Sequence, residues 1–249
     1  GTQCITASKD RYCILIDMKK FKVVWKIQTR DWNSLAKFSP DGKYVVTDSK
    51  KIKLIKASTG QVLHEYYSNG YEEDVEFTSD SKYLYLAQPL RKIEVKTGEI
   101  LDTLHSDSKS ILSSEIDTEG QRLLTCGNIL DSVRLYNLQT NKKTLNLTFG
   151  SSNVIEAIFI SQNRIVGAER KGAVRVWDAN SGKTLQVIKE FNDNLGGITL
   201  SPDKKEFVVY THGGKLQIFD AVSLREKLSL SGSSNLIFKF QHLPNKITT

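Results

Sequence analysis

The 249-residue chain is 39% hydrophobic and 25% charged, as expected of a soluble globular protein, and no stretch approaches the roughly 18 consecutive apolar residues of a membrane span. Lys and Arg outnumber Asp and Glu by 35 to 28, giving a net charge of +7, but the basic residues are spread along the chain, so this balance is weak support for a nucleic-acid partner. Cys4, Cys13 and Cys126 lack Cys-x-x-Cys spacing, which argues against a disulfide framework or a zinc site and favours a reducing, intracellular location, cytoplasmic or nuclear.

A short turn motif recurs along the chain. An apolar residue, a polar turn and a β-rich run follow one another at residues 38–43 (FSPDGK), 77–82 (FTSDSK), 116–121 (IDTEGQ) and 200–205 (LSPDKK), with weaker copies starting at Ile160 and Phe240. The intervals between successive copies are 39, 39, 44, 40 and 40 residues. A fixed period near forty residues indicates a repeat architecture.

A second motif keeps the same period. A β-branched run ends in a polar residue and a turn closed by Gly or Asn, the residues that best tolerate positive φ. Its copies precede Gly60, Gly98, Asn141 and Gly182, and residues 216–220 (LQIFD) form another.

Each period is predicted to hold four short strands, a to d, at residues 35–38, 44–47, 52–55 and 61–66 in the second unit. The b strands are almost wholly apolar, as at residues 83–86 (YLYL), which predicts burial on both faces, whereas the d strands carry polar residues. No long segment has helical periodicity. The pattern predicts an all-β propeller of four-stranded antiparallel blades.

The chain ends bear on the number of blades. Residues 1–8, 12–17 and 21–28 are predicted as strands b, c and d of a first unit, and residues 236–240 and 246–249 as strands a and b of a last one. The chain therefore has five complete and two partial repeat units, in a six-bladed propeller or part of a seven-bladed or larger one. We predict a single propeller domain over residues 1–249, excerpted from a longer protein, because an unclosed propeller exposes edge strands.

Over essentially its whole length the sequence resembles the WD-repeat β-propellers. Residues 174–178 (VRVWD) match the terminal Trp-Asp motif of that family, and Ser39 to Gly42 matches its inner hairpin. The other copies are degenerate, and the family's Gly-His pair is absent. The resemblance implies a non-enzymatic scaffold that binds proteins as a subunit of a larger complex, and we expect Trp177 to pack and hydrogen-bond within its blade.

A search for catalytic motifs finds no nucleophile elbow, Walker-type phosphate loop or zinc-protease motif, so no catalytic, cofactor-binding or metal-ligating residue is predicted. Gly213-Gly214-Lys215 superficially resembles a phosphate loop but falls at the b-to-c turn, where paired glycines suit a hairpin.

The resemblance places partner binding on the face where d-to-a loops and b-to-c turns gather. Candidate interaction residues there are Arg30, Trp32, Tyr71, Asp107, Asn153 and Asn194 near d-to-a loops, and Arg11, Arg91, Lys171 and His212 near b-to-c turns. Trp32 has no counterpart in the other units, so it could serve an interface or cap the core.

Two alternatives remain. A propeller enzyme or ligand-binding propeller would need acids or metal ligands converging at the central channel, where Asp74, Glu76 and Glu156 are the notable acids. Binding to RNA or an anionic membrane surface would need the positive charge on one face and would weaken with salt.

Overall fold

The structure, a computed structural model, describes residues 2–29, 33, 35–49, 51–67, 74–87, 89–104, 111–127, 133–147 and 153–232. These residues form 23 strands and no helix. The predicted all-β class is therefore confirmed.

The strands pair in sequence order into six antiparallel sheets. The first three sheets are β1 (Gln3–Ala7), β2 (Tyr12–Asp17), β3 (Lys22–Gln28); β4 (Ala36–Phe38), β5 (Tyr44–Thr47), β6 (Lys51–Lys56), β7 (Val62–Tyr67); and β8 (Val75–Phe77), β9 (Tyr83–Ala87), β10 (Leu90–Glu94), β11 (Ile100–Thr103). The other three are β12 (Ile111–Ile116), β13 (Arg122–Gly127), β14 (Val133–Asn137), β15 (Lys142–Leu147); β16 (Val154–Ser161), β17 (Arg164–Glu169), β18 (Ala173–Asp178), β19 (Thr184–Glu190); and β20 (Leu195–Leu200), β21 (Glu206–Thr211), β22 (Lys215–Asp220), β23 (Glu226–Ser231).

The observed strands match the predicted repeat units. Sheets two to six have four strands and the first has three, which agrees with five complete units and a partial first one. In the second sheet each strand boundary lies within one residue of the prediction. The strands predicted at residues 236–240 and 246–249 lie outside the described residues.

Two compact units divide the chain: Gly1–Gln121 with Leu138–Lys142, and Arg122–Asn137 with Lys143–Thr249. In the first unit, one core contains Leu15, Trp25 and Ala57, and another contains Val46, Leu54 and Leu84. The prediction of a single domain over residues 1–249 stays a prediction.

The second unit also holds two cores. Trp177, Leu135 and Phe159 belong to one core, and Val176 and Phe207 belong to the other. Trp177 is fully buried, as predicted for the best-preserved repeat.

The a-to-b hairpins owe their shape to a hydroxyl and a carboxylate two residues apart. Ser39, Thr78 and Ser201 each donate their hydroxyl to the following Asp at 2.6–2.7 Å. The Asp carboxylate also accepts a backbone N–H two residues later. This local bonding, an Asx-type turn, explains why the first motif recurs.

The c-to-d turns pack against the outer strand of the preceding sheet. Each turn closes on a residue with positive φ, which is Gly60, Gly98, Asn141 and Gly182 in sheets two to five. A Cβ at Gly60 would lie 2.8 Å from Trp25, and a Cβ at Gly98 would lie 2.3 Å from the His64 ring. Glycine therefore serves both the turn conformation and the close approach of successive sheets.

Side-chain hydrogen bonds reinforce this packing between successive sheets. Trp25 Nε1 donates to the Ala57 carbonyl at 2.7 Å, and Asn141 Nδ2 donates to Asp102 Oδ2 at 2.8 Å. Successive sheets are thus joined by polar bonds as well as by apolar packing.

The predicted difference between inner and outer strands is confirmed. In β9, four of five residues are buried, whereas all six residues of β23 are exposed. The outer strand of each sheet meets solvent, and the b strands carry the core.

Candidate functional site

Six of the ten predicted interaction residues fall within the described part of the chain. Arg30, Trp32, Tyr71 and Asp107 lie outside the described residues, and their predicted roles stay predictions. Arg11 and Arg91 belong to the first unit, and the remaining four belong to the second: Asn153, Lys171, Asn194 and His212.

The four residues of the second unit lie on one run of backbone-linked loops. The Arg170 N–H donates to the Asn153 carbonyl at 2.9 Å, and the Leu195 N–H donates to the Arg170 carbonyl at 3.1 Å. The His212 N–H donates to the Asn194 carbonyl at 3.0 Å. These bonds join two d-to-a loops and two b-to-c turns, so the structure brings the predicted residues together.

Asp193 fastens this face. Its Oδ2 accepts the Gly213 N–H at 2.7 Å, and its Oδ1 accepts the Asn194 N–H at 2.7 Å. Hydrogen bonds from the Thr211 side chain and the Gly213 amide lower the pKa of Asp193, since they favour the ionised carboxylate. A Cβ at Gly213 would lie 2.3 Å from Asp193 Oδ2, so a larger residue there would displace the carboxylate. The Gly213-Gly214 pair is the b-to-c turn that the sequence predicts.

A cavity of about 710 Å³ opens on this face. Its lining residues are Glu169, Lys171, Ala173, Arg175, Phe191, Asn192, Asp193 and Asn194. Arg175 Nε donates to Glu169 Oε1 at 2.9 Å, and the Glu169 side chain is almost fully buried. Buried Phe191 supplies an apolar surface beside these charges.

Gly172 fixes the approach of the loop to this cavity. Its φ is +105°, and a Cβ there would lie 2.1 Å from the Phe191 carbonyl oxygen. The Phe191 N–H donates to the Gly172 carbonyl at 2.8 Å. The two segments can run this close only because residue 172 is glycine.

The cavity offers donors, acceptors, cations and one aromatic surface within a braced frame. Sequence reasoning found Lys171 and Asn194 but missed Glu169, Arg175, Phe191 and Asp193. The signal for Asp193 is the polar run of residues 192–194, whereas Glu169 and Arg175 belong to two neighbouring strands whose register the sequence does not show.

The two described arginines of the first unit differ in exposure. Arg11 is exposed and adopts φ 71° at the β1–β2 turn. Arg91 is buried, and its Nη2 donates to the Tyr67 carbonyl at 2.7 Å. Arg91 therefore braces the neighbouring sheet, and little of its guanidinium is left to contact a partner.

Three acids on or next to the first strand of a sheet link it to a neighbouring sheet within the same unit. In the first unit, Asp74 Oδ2 accepts the Ser114 N–H at 2.5 Å and the Ser114 hydroxyl at 3.0 Å. In the second unit, Glu156 Oε2 accepts the Ile198 N–H at 2.9 Å. Both carboxylates are thus engaged in bonding between strands.

Glu76 is the third of these acids, and Lys37 Nζ contacts it at 2.5 Å. Burial raises the pKa of Glu76 to about 7, with Asp74 adding to this effect and Lys37 opposing it. The short contact favours the ionised form, but desolvation outweighs it.

Among the described residues, no group of three or more His, Cys, Asp or Glu side chains is arranged to hold a metal ion. The same residues contain no helix that is long and apolar enough to cross a membrane.

Comparisons with known proteins agree with this architecture. The solved C-terminal WD40 domain of Sif2 superposes with a TM-score of 0.75 at 15% identity, covering 89% of this chain and 67% of that one. The chain is 21% identical over 246 residues to the WD repeat domain-containing protein 83 homolog of Dictyostelium discoideum, covering 85% of this chain and 75% of the relative. No family model matches the chain.

Two further relatives match over shorter spans. Nuclear distribution protein nudF of Aspergillus niger is 24% identical over 147 residues, and the Arabidopsis thaliana protein "Cell division cycle 20.1, cofactor of APC complex" is 24% identical over 192 residues. The matches cover 56% and 76% of this chain but only 32% and 38% of those relatives.

The sheets and their repeated turns define an all-β repeat protein of the propeller class. Within that class, the chain is similar to the WD-repeat β-propellers, in sequence to a WD repeat domain-containing protein and in fold to a WD40 domain.

Proposed function

We propose that the chain is a non-enzymatic WD-repeat scaffold that binds other proteins through its d-to-a loops and b-to-c turns, as a subunit of a larger complex. The observation that carries this proposal is the cavity bordered by Lys171 and Asn194, which sets charged, amide and aromatic groups on loops braced by backbone hydrogen bonds. Such a mixture resembles the composition of protein interfaces.

The relatives support the same reading. One of them is named as a cofactor of the APC complex, which is a role within an assembly. This chain spans 38% of that relative, so a role in any assembly is our proposal for this protein.

A catalytic role at the innermost strands has less support. Asp74, Glu76 and Glu156, the acids that such a role would use, each form hydrogen bonds that join neighbouring strands. Loss of those bonds during catalysis would disturb the packing of the sheets.

We also propose an intracellular location, cytoplasmic or nuclear. All three cysteines are free, and Cys4 is exposed, as suits a reducing compartment. Fractionation of cells expressing a tagged chain should recover it with intracellular markers, and recovery in the secreted fraction alone would contradict this location.

Affinity capture with matched variants tests the proposed face. Lys171→Glu/Asn194→Ala should lose partners that the wild-type chain retains, with an unchanged melting temperature. Lys183→Glu is the control because Lys183 is exposed beyond the opposite end of β18. Equal recovery of every partner by both variants would count against this face.

Arg30→Ala/Trp32→Ala extends the same experiment to the residues chosen from the sequence alone. We expect it to weaken capture of the same partners. Unchanged capture would remove Arg30 and Trp32 from the interface.

A further inference from the structure

The net charge of the chain resides entirely in its first quarter. Residues 1–67 hold 13 Lys and Arg against 6 Asp and Glu, a net charge of +7, whereas residues 68–249 hold 22 of each. Basic residues occur along the whole chain, but acids balance them in number only after residue 67. The first two sheets carry the positive field of the molecule.

Part of this charge lies on the β2–β3 turn. Lys19, Lys20 and Lys22 are exposed, and none forms an ion pair with another described residue. The nearest acid along the chain, Asp17, uses Oδ1 to accept the Lys19 and Lys20 backbone N–H groups. Its hydrogen bonds therefore stabilise the turn and leave the lysine ammonium groups facing solvent.

The second sheet extends the same surface. Gln3, which pairs with Asp17, lines a cavity of about 520 Å³ together with Lys43 and Lys56. Lys56 is exposed and has no ion pair among the described residues, and the Lys43 ammonium pairs with Asp41 at 3.3 Å. We call Lys19, Lys20, Lys22, Lys43 and Lys56, with the intervening Phe21, the basic turn surface.

Phe21 has an unusual position for an aromatic residue. It occupies the positive-φ site of the c-to-d turn, at φ 50°, where sheets two to five have Gly or Asn. Leu224 takes this conformation in the sixth sheet and is buried, so packing explains it. Phe21 is 80% exposed, so no packing offsets the strain of its backbone.

Other apolar side chains extend this exposed surface. Met18, Val23 and Val24 flank the lysines and are 40%, 60% and 42% exposed. At Gly60 and Gly98, even a Cβ would collide with the preceding outer strand. The benzyl group of Phe21, at the equivalent turn position, is therefore too large for close packing of that kind. The turn is therefore suited to present its ring outward.

We infer that the basic turn surface docks on an anionic lipid bilayer, with Phe21 entering the headgroup region and the lysines facing acidic headgroups. Lysines alternating with exposed aliphatic and aromatic residues suit such an interface, where apolar burial and attraction to anionic lipid act together. An RNA-binding surface would favour arginine side chains and aromatic rings that stack on bases. This surface has lysines instead of arginines, and Met18, Val23 and Val24 cannot stack on a base. This inference goes beyond the proposed scaffold function and uses different residues.

Vesicle co-sedimentation of the full chain tests the inference. The chain should bind vesicles of equal parts phosphatidylcholine and phosphatidylserine, should bind pure phosphatidylcholine vesicles far less, and should lose binding as salt rises. Lys20→Gln/Lys22→Gln should weaken partitioning about 30-fold, since each lysine near an anionic surface contributes about 1 kcal/mol.

Matched variants separate lipid contact from net charge and from folding. Lys142→Gln/Lys143→Gln removes the same charge from the start of β15 and should leave binding unchanged. Phe21→Asn places the residue of position 141 in the turn, so it should weaken vesicle binding without lowering the melting temperature.

Three results would overturn the inference. The first is equal binding to both vesicle types, and the second is equal loss of binding in the two lysine variants. The third is binding to single-stranded RNA, or self-association that Phe21→Asn abolishes, with no binding to anionic vesicles.

Discussion

Substituting Gly98 by alanine tests the seating of one sheet on the next. Gly98 has φ +76°, and an added Cβ would lie 2.3 Å from the His64 ring, well inside contact distance. Gly42 is the matched control, because its φ is +71° and a Cβ there would meet nothing within 4 Å. Both substitutions place alanine in the left-handed region, but only one also forces a collision.

The two costs can be separated. The left-handed backbone should cost about 1 kcal/mol in either variant. At Gly98, overpacking adds about 1–3 kcal/mol, because the His64 ring or the turn must move. With a shift of about 2–4 °C per kcal/mol for a chain of this size, Gly98→Ala should lower the melting temperature by roughly 4–16 °C and Gly42→Ala by roughly 2–4 °C.

Thermal unfolding followed by circular dichroism measures the difference. Adding His64→Ala to Gly98→Ala should recover part of the loss, because it removes the ring that the methyl group meets. Equal melting temperatures for Gly98→Ala and Gly42→Ala would show that close packing against His64 does not require glycine at position 98. The turn conformation would then be the only role of Gly98.

Two further predictions concern buried groups. Trp177→Ala should lower the free energy of unfolding by about 3–5 kcal/mol because Trp177 is fully buried in its core; an unchanged melting temperature with lost partner binding would instead make Trp177 an interface residue. Glu76 has a folded pKa of about 7, above its unfolded value, so the folded state binds the extra proton and stability should fall as pH rises from about 4.5 to about 7. Glu76→Gln should make the melting temperature less dependent on pH over that range than it is in the wild type. Identical pH profiles for the two proteins would contradict the raised pKa.

The repeat could be predicted from the sequence because its turns are local. The Ser-x-Asp hairpin and the Gly-closed turn each form bonds within a few residues, so their chemistry appears directly in the chain. The difference between apolar b strands and partly polar d strands can likewise be read from the sequence, because it reflects how deeply each strand is buried within its own sheet. Strand boundaries in the second sheet were accordingly predicted to within one residue.

Contacts between successive sheets could not be predicted in this way. Trp25 bonds to Ala57 and covers Gly60, yet nothing near Trp25 in the sequence identifies those partners. Arg91 follows a predicted turn, which suggests exposure, but its guanidinium is buried against the Tyr67 carbonyl of the preceding sheet. Such roles depend on residues more than twenty positions away, which local patterns do not encode.

Some residues of the candidate face could be predicted from the sequence and others could not. Lys171, Asn194 and His212 belong to loops that the repeat places at one end of the sheets, so their proximity follows from the period. Glu169 and Phe191 reach the cavity through strand pairing and through the close approach of Gly172, which only the folded chain shows.

Site-specific photo-crosslinking in cells tests the scaffold proposal most directly. A photoreactive amino acid at position 171, beside the cavity, is compared with the same amino acid at position 183, beyond the other end of β18. We expect discrete protein adducts from position 171 and few from position 183. Adducts of the same proteins in equal yield from both positions, or none from position 171, would contradict the scaffold proposal.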